Sequence, residues 1–255
     1  MCIRDSGYAA RGMQVKVLPP YAGFDWDADR YREAIAAANA IRPSFVVMGG
    51  DMVDSSADPD QLDALREITA GLDPSITMHW VPGNHDAAAD ALVPTSESLA
   101  WYREHFGPDR YTFDAGDVRF VVMNTVVLDH PEEVPDEYEE QMAFLEHSVA
   151  RADRRVVLLG HHPLFLSSAD EPDDYWNLPS GPRKHLLELI HAHDVPVGFA
   201  GHWHRNGLAH DGGFEMVTSG PVGVPLGDDP SGFTVVDVDP TSIRHRYEPL
   251  EAGQT

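Results

Sequence analysis

The fold is indicated first by the stretch Phe45-Val46-Val47-Met48-Gly49-Gly50-Asp51. Four apolar residues form a run of strand length, and the two glycines that follow end it in a tight turn. The first polar side chain after this turn is the carboxylate of Asp51. A buried strand with a polar residue just past its carboxyl end is typical of α/β proteins, in which such residues form ligand sites.

Three further apolar runs end in polar motifs in the same way. The runs are Ile76 to Val81, Val156 to Leu159 and Val195 to Ala200. The motifs that follow them are Gly83-Asn84-His85-Asp86, Gly160-His161-His162 and Gly201-His202-Trp203-His204. Loops at the carboxyl ends of parallel strands meet at one edge of a sheet, so we expect these polar residues to lie close together.

Helix-like segments alternate with these strands. Asp29 to Ile41 has apolar residues at helical spacing, and Asp58-Pro59 supplies an N-cap and a first-turn proline for a second helix. A third helix is predicted over Gly181 to His193, whereas Phe214 to Tyr247 reads as strands and turns without a helix. The alternation predicts an α/β fold.

Composition limits the classes of partner. Lys and Arg number 18 and Asp and Glu 42, so the net charge of 18 − 42 = −24 disfavours nucleic acid and anionic membranes as partners. The run Val118 to Leu128 is interrupted by Arg119 and Asn124 and is shorter than the ~18 residues of a membrane span. The lone Cys2 excludes a disulfide framework and a cysteine-built metal site. Histidines and carboxylates must therefore hold any metal.

Taken together and in this order, the polar motifs resemble the signature of the calcineurin-like metallophosphoesterase superfamily. That signature is D-x-[HQ], G-D-x-x-D, G-N-H-[DE], a lone His and G-H-x-H, and Gly50-Asp51-Met52-Val53-Asp54 is the counterpart of its second block. The resemblance extends to one branch, the calcineurin-like phosphoesterase domain-containing protein 1 group of Ser/Thr protein phosphatases, between about Trp26 and Leu250. It implies a four-layer α-β-β-α sandwich that hydrolyses phosphoesters.

The resemblance also implies a metal centre with two divalent ions, of Fe, Mn or Zn, which are suited to mixed nitrogen and oxygen ligands. Asp51 is then the bridging carboxylate. The ligands that complete one site are Asn84, His161 and His202, and His204 joins Asp51 at the other. His161 is preferred to His162 because the family's ligand lies two residues before the proline.

Three further residues receive roles from the resemblance. His85 corresponds to the general acid that protonates the leaving alkoxide, and Asp54 would orient its imidazole. For Asp54, capping of the turn is the alternative. Arg205 is the candidate for contacting the substrate phosphate, and an ordinary surface ion pair is its alternative.

Other histidines and aromatic residues have plainer interpretations. His191-Ala192-His193 repeats the H-x-H spacing but falls at a helix end, where residues two apart do not face each other. His79 is predicted to be structural. Tyr175-Trp176 would either wall the substrate cleft or anchor its loop to the core.

The first family block, D-x-[HQ], has no counterpart in this sequence. Residues 1–6 are neither an apolar strand nor a ligand pair, so we expect a truncated or mis-assembled start and a single phosphoesterase domain over 7–250. The first central strand and two ligands would then be missing, leaving one metal and weak activity. Met13 to Leu18 could occupy part of the empty sheet edge. Met1 to Ser6 also lacks a secretory pattern, and a cytoplasmic location is expected.

The function expected from the sequence is metal-dependent hydrolysis of phosphomonoesters, on phosphoprotein Ser/Thr or a small phosphoester. A metal-bound hydroxide would be the nucleophile and His85 the acid. Two alternatives stay open, a phosphodiesterase acting on a cyclic nucleotide or a glycerophosphodiester, and a catalytically impaired metal-binding or scaffold protein. The oligomeric state is not predicted.

Overall fold

A computed structural model describes residues 24–56, 58–88, 92–239 and 241–250. The expectations for the beginning of the chain lie outside the described residues: the stretch 1–6, the start of the domain at Gly7, the strand at 13–18 and the missing first strand. The helices are α1 (Phe24–Ile41), α2 (Pro59–Thr69), α3 (Asn84–Ala87), α4 (Ser96–Phe106), α5 (Thr125–Asp129), α6 (Pro135–Ala150) and α7 (Ser180–Ala192). The strands are β1 (Phe45–Met48), β2 (Thr77–Trp80), β3 (Tyr111–Ala115), β4 (Val118–Val122), β5 (Arg155–Leu159), β6 (Val197–Ala200), β7 (Gly207–Asp211), β8 (Phe214–Thr218), β9 (Gly232–Val238) and β10 (Ile243–Pro249).

Local sequence signals account for most of these elements. The apolar run at 45–48 forms β1 with the predicted bounds. Asp58 caps α2 by accepting a hydrogen bond from the Asp60 N–H at 3.0 Å, and Pro59 occupies the first turn, where its missing N–H costs nothing. The segment 214–247 contains strands and turns, as expected. The predicted helix over Gly181 to His193 is α7, one residue earlier at each end.

The strands form three hydrogen-bonded sheets among the described residues. Strands β1 and β2 are parallel, and β9 and β10 form an antiparallel hairpin. The six-stranded sheet has the order β3-β4-β5-β6-β8-β7, in which β4, β5, β6 and β8 are parallel and β3 and β7 are antiparallel edge strands. Its parallel centre places the carboxyl ends of four strands along one edge.

Alternation of side chains along the strands produces the four layers. On β4, Phe120 packs against the β1–β2 sheet, while Val121 faces the opposite way, toward α6 and α7. On β1, Phe45 meets the six-stranded sheet, with its ring 5.1 Å from that of Phe120. Val46 packs against the cluster formed with α1, α2 and α4. The order of layers is helices, small sheet, large sheet, helices, and the predicted four-layer α-β-β-α sandwich is confirmed.

Every helix within the described ranges is too short or too polar to cross a membrane.

Candidate metal centre

Four side chains from four strand ends meet at one buried point. Asp51 follows β1, Asn84 follows β2, His161 follows β5 and His202 follows β6. The Nε2 atom of His161 lies 2.9 Å from Asn84 Oδ1, 3.1 Å from His202 Nδ1 and 3.2 Å from Asp51 Oδ2. All four residues are at most 4% exposed. Two imidazole nitrogens, a carboxylate oxygen and an amide oxygen thus face a common centre.

Main-chain carbonyls determine which nitrogen of each histidine faces this centre. His161 Nδ1 lies 2.8 Å from Gly49 O, and His202 Nε2 lies 2.9 Å from Tyr175 O. A carbonyl oxygen only accepts hydrogen bonds, so these nitrogens carry the protons and donate them. The opposite nitrogens, His161 Nε2 and His202 Nδ1, therefore present their lone pairs toward the cluster, as metal ligands require.

The electrostatics of the cluster also suit a cation. Burial would raise the pKa of Asp51, but the neighbouring His161 and His85 hold it well below its usual range. Burial and the nearby His161 lower the pKa of His202 to about 3, so His202 is neutral at neutral pH. Burial opposes protonation of His161, yet Asp51 raises its pKa. A divalent cation would displace the proton that Asp51 favours on His161, because histidine binds metals in its neutral form.

The backbone is strained at three residues of these motifs. Asp51, His202 and His204 have φ angles of 54°, 60° and 55°, in the left-handed region that costs a residue with a Cβ about 1–2 kcal/mol. Such conformations persist only where the surrounding structure enforces them, and they concentrate at functional sites. At Asp51 and His202 this conformation turns the loops after β1 and β6 so that both side chains point into the cluster, whereas His204 lies outside it.

His85 lies beside the cluster and is held at two points. Its main-chain N–H donates to Asp51 Oδ1 at 3.0 Å, and its Nδ1 lies 2.9 Å from the main-chain oxygen of Asp54. The Asp54 carboxylate Oδ1 is farther away, at 3.5 Å from the same nitrogen. The sequence suggested that the carboxylate orients this imidazole, whereas the closer acceptor is the main-chain carbonyl.

Two buried residues that the sequence reasoning did not select support the site. Asp86 accepts hydrogen bonds from the N–H groups of Val53 and Gly83, at 3.0 and 3.1 Å, and so ties the loop after β1 to the loop after β2. Burial and the charge of Asp51 raise the pKa of Asp86 to about 6. In the sequence, Asp86 is marked by its place at the end of the Gly-Asn-His-Asp motif.

Thr125 is the second of these supporting residues. Its Oγ1 accepts from the main-chain N–H of His161 at 3.1 Å and of His162 at 2.9 Å. No motif in the sequence marks Thr125.

Comparisons with known proteins agree with this geometry. The model of the family described as "Calcineurin-like phosphoesterase" matches residues 25–206. The chain belongs to this family. Family members hydrolyse phosphoesters, and the chain is a phosphoester hydrolase.

Similar proteins point to the same branch that the sequence resembled. The chain is 35% identical to "Serine/threonine-protein phosphatase CPPED1" of Danio rerio over 242 residues, which cover 90% of this chain and 77% of the relative. The human protein of the same name is 33% identical over 243 residues, covering 90% of this chain and 76% of the relative. The predicted family membership is confirmed.

Solved structures show the same fold. A purple acid phosphatase, PPD1 from yellow lupin seeds, matches with a TM-score of 0.67 and 18% identity, covering 89% of this chain and 48% of its own. A dimetal phosphatase from Danio rerio matches with a TM-score of 0.56 and 18% identity over 86% of each chain.

The remaining candidates of this calcineurin-like phosphoesterase lie in different surroundings. Among the described residues, Asp51, His161 and His202 place their potential metal-ligand atoms within 4.8 Å of one another. His204 lies outside this group. His204 is nevertheless buried, and its Nδ1 lies 2.8 Å from Val224 O, so its Nε2 has the lone pair. Arg205 is exposed and donates to Leu226 O at 3.0 Å. Among the described residues, Arg205 makes no hydrogen bond to the cluster.

The other histidines that the sequence singled out have structural surroundings rather than a place in the cluster. His162 lies 3.1 Å from Thr125 Oγ1, and burial lowers its pKa well below the usual value. His191 is an exposed residue of α7 that pairs with Asp211 at 2.7 Å. His79 stacks on Phe113 between the two sheets, at 3.6 Å between ring centres.

Proposed function

We propose that this chain is a metal-dependent phosphomonoesterase of the protein Ser/Thr phosphatase type. The observation that carries the proposal is the convergence of Asp51, Asn84 and His202 on His161 Nε2, at 2.9 to 3.2 Å. The substrate class is supported by the relatives named Serine/threonine-protein phosphatase CPPED1, which cover 90% of the chain.

The residues present fit a divalent transition metal. A carboxylate, an amide oxygen and neutral imidazoles are the donors that Fe, Mn and Zn accept. The carbonyls of Gly49 and Tyr175 hold the two imidazoles with their lone pairs inward. We propose that Asp51, Asn84, His161 and His202 hold one ion, and that His204 shares a second with Asp51.

The chain's own residues supply the rest of the chemistry. A bound divalent metal polarises the phosphoryl group and activates water for attack. His85 is fixed by its main-chain N–H to Asp51 and by Nδ1 to the main-chain oxygen of Asp54, and as an imidazolium it would deliver the proton of its Nε2 to the leaving oxygen. Burial of the cluster keeps bulk water from screening these charges.

The test compares three substrates after loading with Mn²⁺, Fe²⁺ or Zn²⁺. We expect hydrolysis of a phosphoserine peptide and of p-nitrophenyl phosphate, and slower hydrolysis of bis(p-nitrophenyl) phosphate. Asp51→Asn and His161→Asn should lose bound metal, by elemental analysis, together with activity. His191→Asn is the matched control, because His191 lies on the surface of α7 and pairs with Asp211.

Two outcomes would contradict the proposal. Faster turnover of the bis-ester than of both monoesters would identify a phosphodiesterase. Absence of hydrolysis with all three metals, in a protein that retains its fold and binds metal, would identify a binding protein.

A further inference from the structure

Arg183 is a charged side chain in the interior of the protein. It lies in the first turn of α7 and is 2% exposed. Burying a guanidinium is costly unless hydrogen bonds and an opposite charge compensate for its lost hydration. Its Nη2 donates to Glu171 O at 2.5 Å and to Asp173 Oδ1 at 3.3 Å, and its Nη1 lies 3.9 Å from Glu171 Oε1. These partners belong to the loop between β5 and α7.

Glu171 connects Arg183 to both ends of this loop. Its carboxylate accepts hydrogen bonds from the N–H groups of Leu166 and Ser167, both at 2.8 Å, and from Asn177 Nδ2 at 2.6 Å. Burial opposes ionisation of Glu171, but these hydrogen bonds lower its pKa to about 2, so it is charged at neutral pH. The guanidinium of Arg183 therefore pairs with a full negative charge that ties the start of the loop to its end.

Asn177 extends the network to the backbone around Tyr175. The Asn177 side chain is 1% exposed, and its Nδ2 also donates to Pro172 O at 3.1 Å. Its Oδ1 accepts a hydrogen bond from the Asp174 N–H at 3.0 Å. These bonds close the turn that contains Tyr175. Because the backbone is held on both sides of Tyr175, the direction of its carbonyl is fixed.

The Tyr175 carbonyl is where the loop meets the candidate metal centre. His202 Nε2 donates to it at 2.9 Å, so the lone pair is on His202 Nδ1, which lies 3.1 Å from His161 Nε2. A neutral imidazole can carry its proton on either nitrogen, and the hydrogen bond made by one nitrogen determines which of them binds a metal. A displaced carbonyl would therefore allow the proton to occupy Nδ1 and block it as a ligand.

We propose that Arg183 is a positioning residue of the candidate metal centre. Through Glu171 and Asn177 it holds the Tyr175 carbonyl in place, and this carbonyl keeps the lone pair of His202 Nδ1 directed at the metal. Loss of such an outer partner typically weakens metal binding about 10- to 100-fold. The inference rests on the proposed function, because it concerns the same metal centre, but it does not depend on which phosphoester is cleaved.

The experiment measures Zn²⁺ binding and the tautomer of His202 in Arg183→Met and Arg183→Lys. Zn²⁺ affinity, measured by competition with a chelator, should fall about 10- to 100-fold in Arg183→Met. In the metal-free protein at pH 7, ¹⁵N NMR of the histidines should show His202 as the Nε2–H form in the wild type. In Arg183→Met it should show a mixture with the Nδ1–H form. Arg183→Lys keeps the charge and a donor, and should recover part of both losses.

A second variant and a control separate this network from the stability of α7. Asn177→Ala removes the connection to the turn but leaves Arg183 paired with Glu171, and should change both readouts in the same direction. Leu186→Ala destabilises the same helix by leaving a cavity, because Leu186 is 1% exposed in the core. It should leave the tautomer and the Zn²⁺ affinity unchanged.

The outcomes separate this inference from the proposed function. Wild-type tautomer and affinity in folded Arg183→Met would overturn it, and if that variant does not fold, the same result in Asn177→Ala would do so. An equal loss of Zn²⁺ affinity in Leu186→Ala would assign the effect to stability and overturn it as well. Failure of the wild type to hydrolyse any ester, together with the altered tautomer in Arg183→Met, would refute the proposed function while upholding the role of Arg183.

Discussion

Gly50 lies directly against the imidazole of His161: a Cβ atom at residue 50 would be 2.8 Å from His161 Cγ and 2.9 Å from Gly83 Cα. The φ angle of Gly50 is +98°, a conformation that disfavours any side chain. Glycine is therefore required here both for the turn after β1 and for the close approach of β5. The geometry of the candidate metal ligands depends on this contact.

The first prediction concerns this glycine. Gly50→Ala should displace His161, lower the affinity for Mn²⁺ at least about 10-fold and cost about 1 kcal/mol or more of stability through backbone strain. Metal titration and urea unfolding measure the two effects. Gly49→Ala is the control, because a Cβ there meets nothing within 4 Å. Equal behaviour of the two variants would contradict the proposed packing.

The second prediction concerns His85 as the general acid. His85→Ala should lower kcat for a phosphoserine peptide about 10²- to 10⁴-fold, because serine is a poor leaving group that needs a proton. The loss on p-nitrophenyl phosphate should be much smaller, since nitrophenolate leaves without protonation. Steady-state kinetics on both substrates gives the comparison, and equal losses would argue against an acid role.

A control for this prediction follows from the surroundings of His85. The closest acceptor of its Nδ1 is the main-chain oxygen of Asp54, which Asp54→Asn retains. We expect that variant to cost less than about 10-fold in kcat, well below the loss in His85→Ala.

The sequence predicted what depends on residue type and local spacing. The apolar run of β1, the cap at Asp58 and the strand-end motifs all carry such signals, so the layers and the grouping of Asp51 with His161 and His202 could be foreseen. The acceptors that orient the histidines could not. The carbonyls of Gly49, Tyr175 and Val224 belong to the main chain, which every residue possesses, and only the folded loops bring them to the imidazoles.

The third prediction concerns Thr125, which no motif indicated. Thr125→Val keeps the shape but leaves the main-chain N–H groups of His161 and His162 without their acceptor in a buried region. The cost should be about 2–4 kcal/mol of unfolding free energy, together with weaker Mn²⁺ binding. Thr125→Ser keeps the hydroxyl and should retain most of both. Urea unfolding of the metal-free proteins separates these cases, and a Val variant as stable as the Ser variant would contradict the prediction.

The fourth prediction concerns pH and Glu137. Arg103 donates hydrogen bonds to both carboxylate oxygens of Glu137, at 2.9 and 2.6 Å, and Arg110 donates a third at 2.8 Å. These hydrogen bonds lower the pKa of Glu137 from 4.5 to about 2, and those from Arg103 contribute most. A depressed folded-state pKa adds stability above pH 4.5, and this stability disappears as the pH falls toward 2.

Glu137→Gln should therefore cost about 1 kcal/mol at pH 7, and the cost should shrink as the pH is lowered below 4.5. Urea unfolding between pH 7 and pH 3.5 measures the difference between variant and wild type. Glu139→Gln, an exposed change on the same helix, should show a smaller effect at pH 7. A cost for Glu137→Gln that stays constant with pH would exclude this ion pair as its cause.

The fifth prediction follows from the net charge of −24. Repulsion among the excess acids destabilises the folded chain, and its range falls from about 30 Å at 0.01 M salt to about 3 Å at 1 M. The melting temperature of the metal-free protein should therefore rise with KCl, by about 2–4 °C for each kcal/mol of repulsion removed.

The variants Glu67→Lys and Glu188→Lys should show a smaller rise in melting temperature with KCl, because each removes an exposed negative charge and adds a positive one. Both residues lie on helices, where lysine is accepted as well as glutamate. Surface ion pairs such as Arg246–Asp237 act in the opposite direction, since salt screens their attraction. A melting temperature that falls with added KCl would show that such pairs outweigh the repulsion.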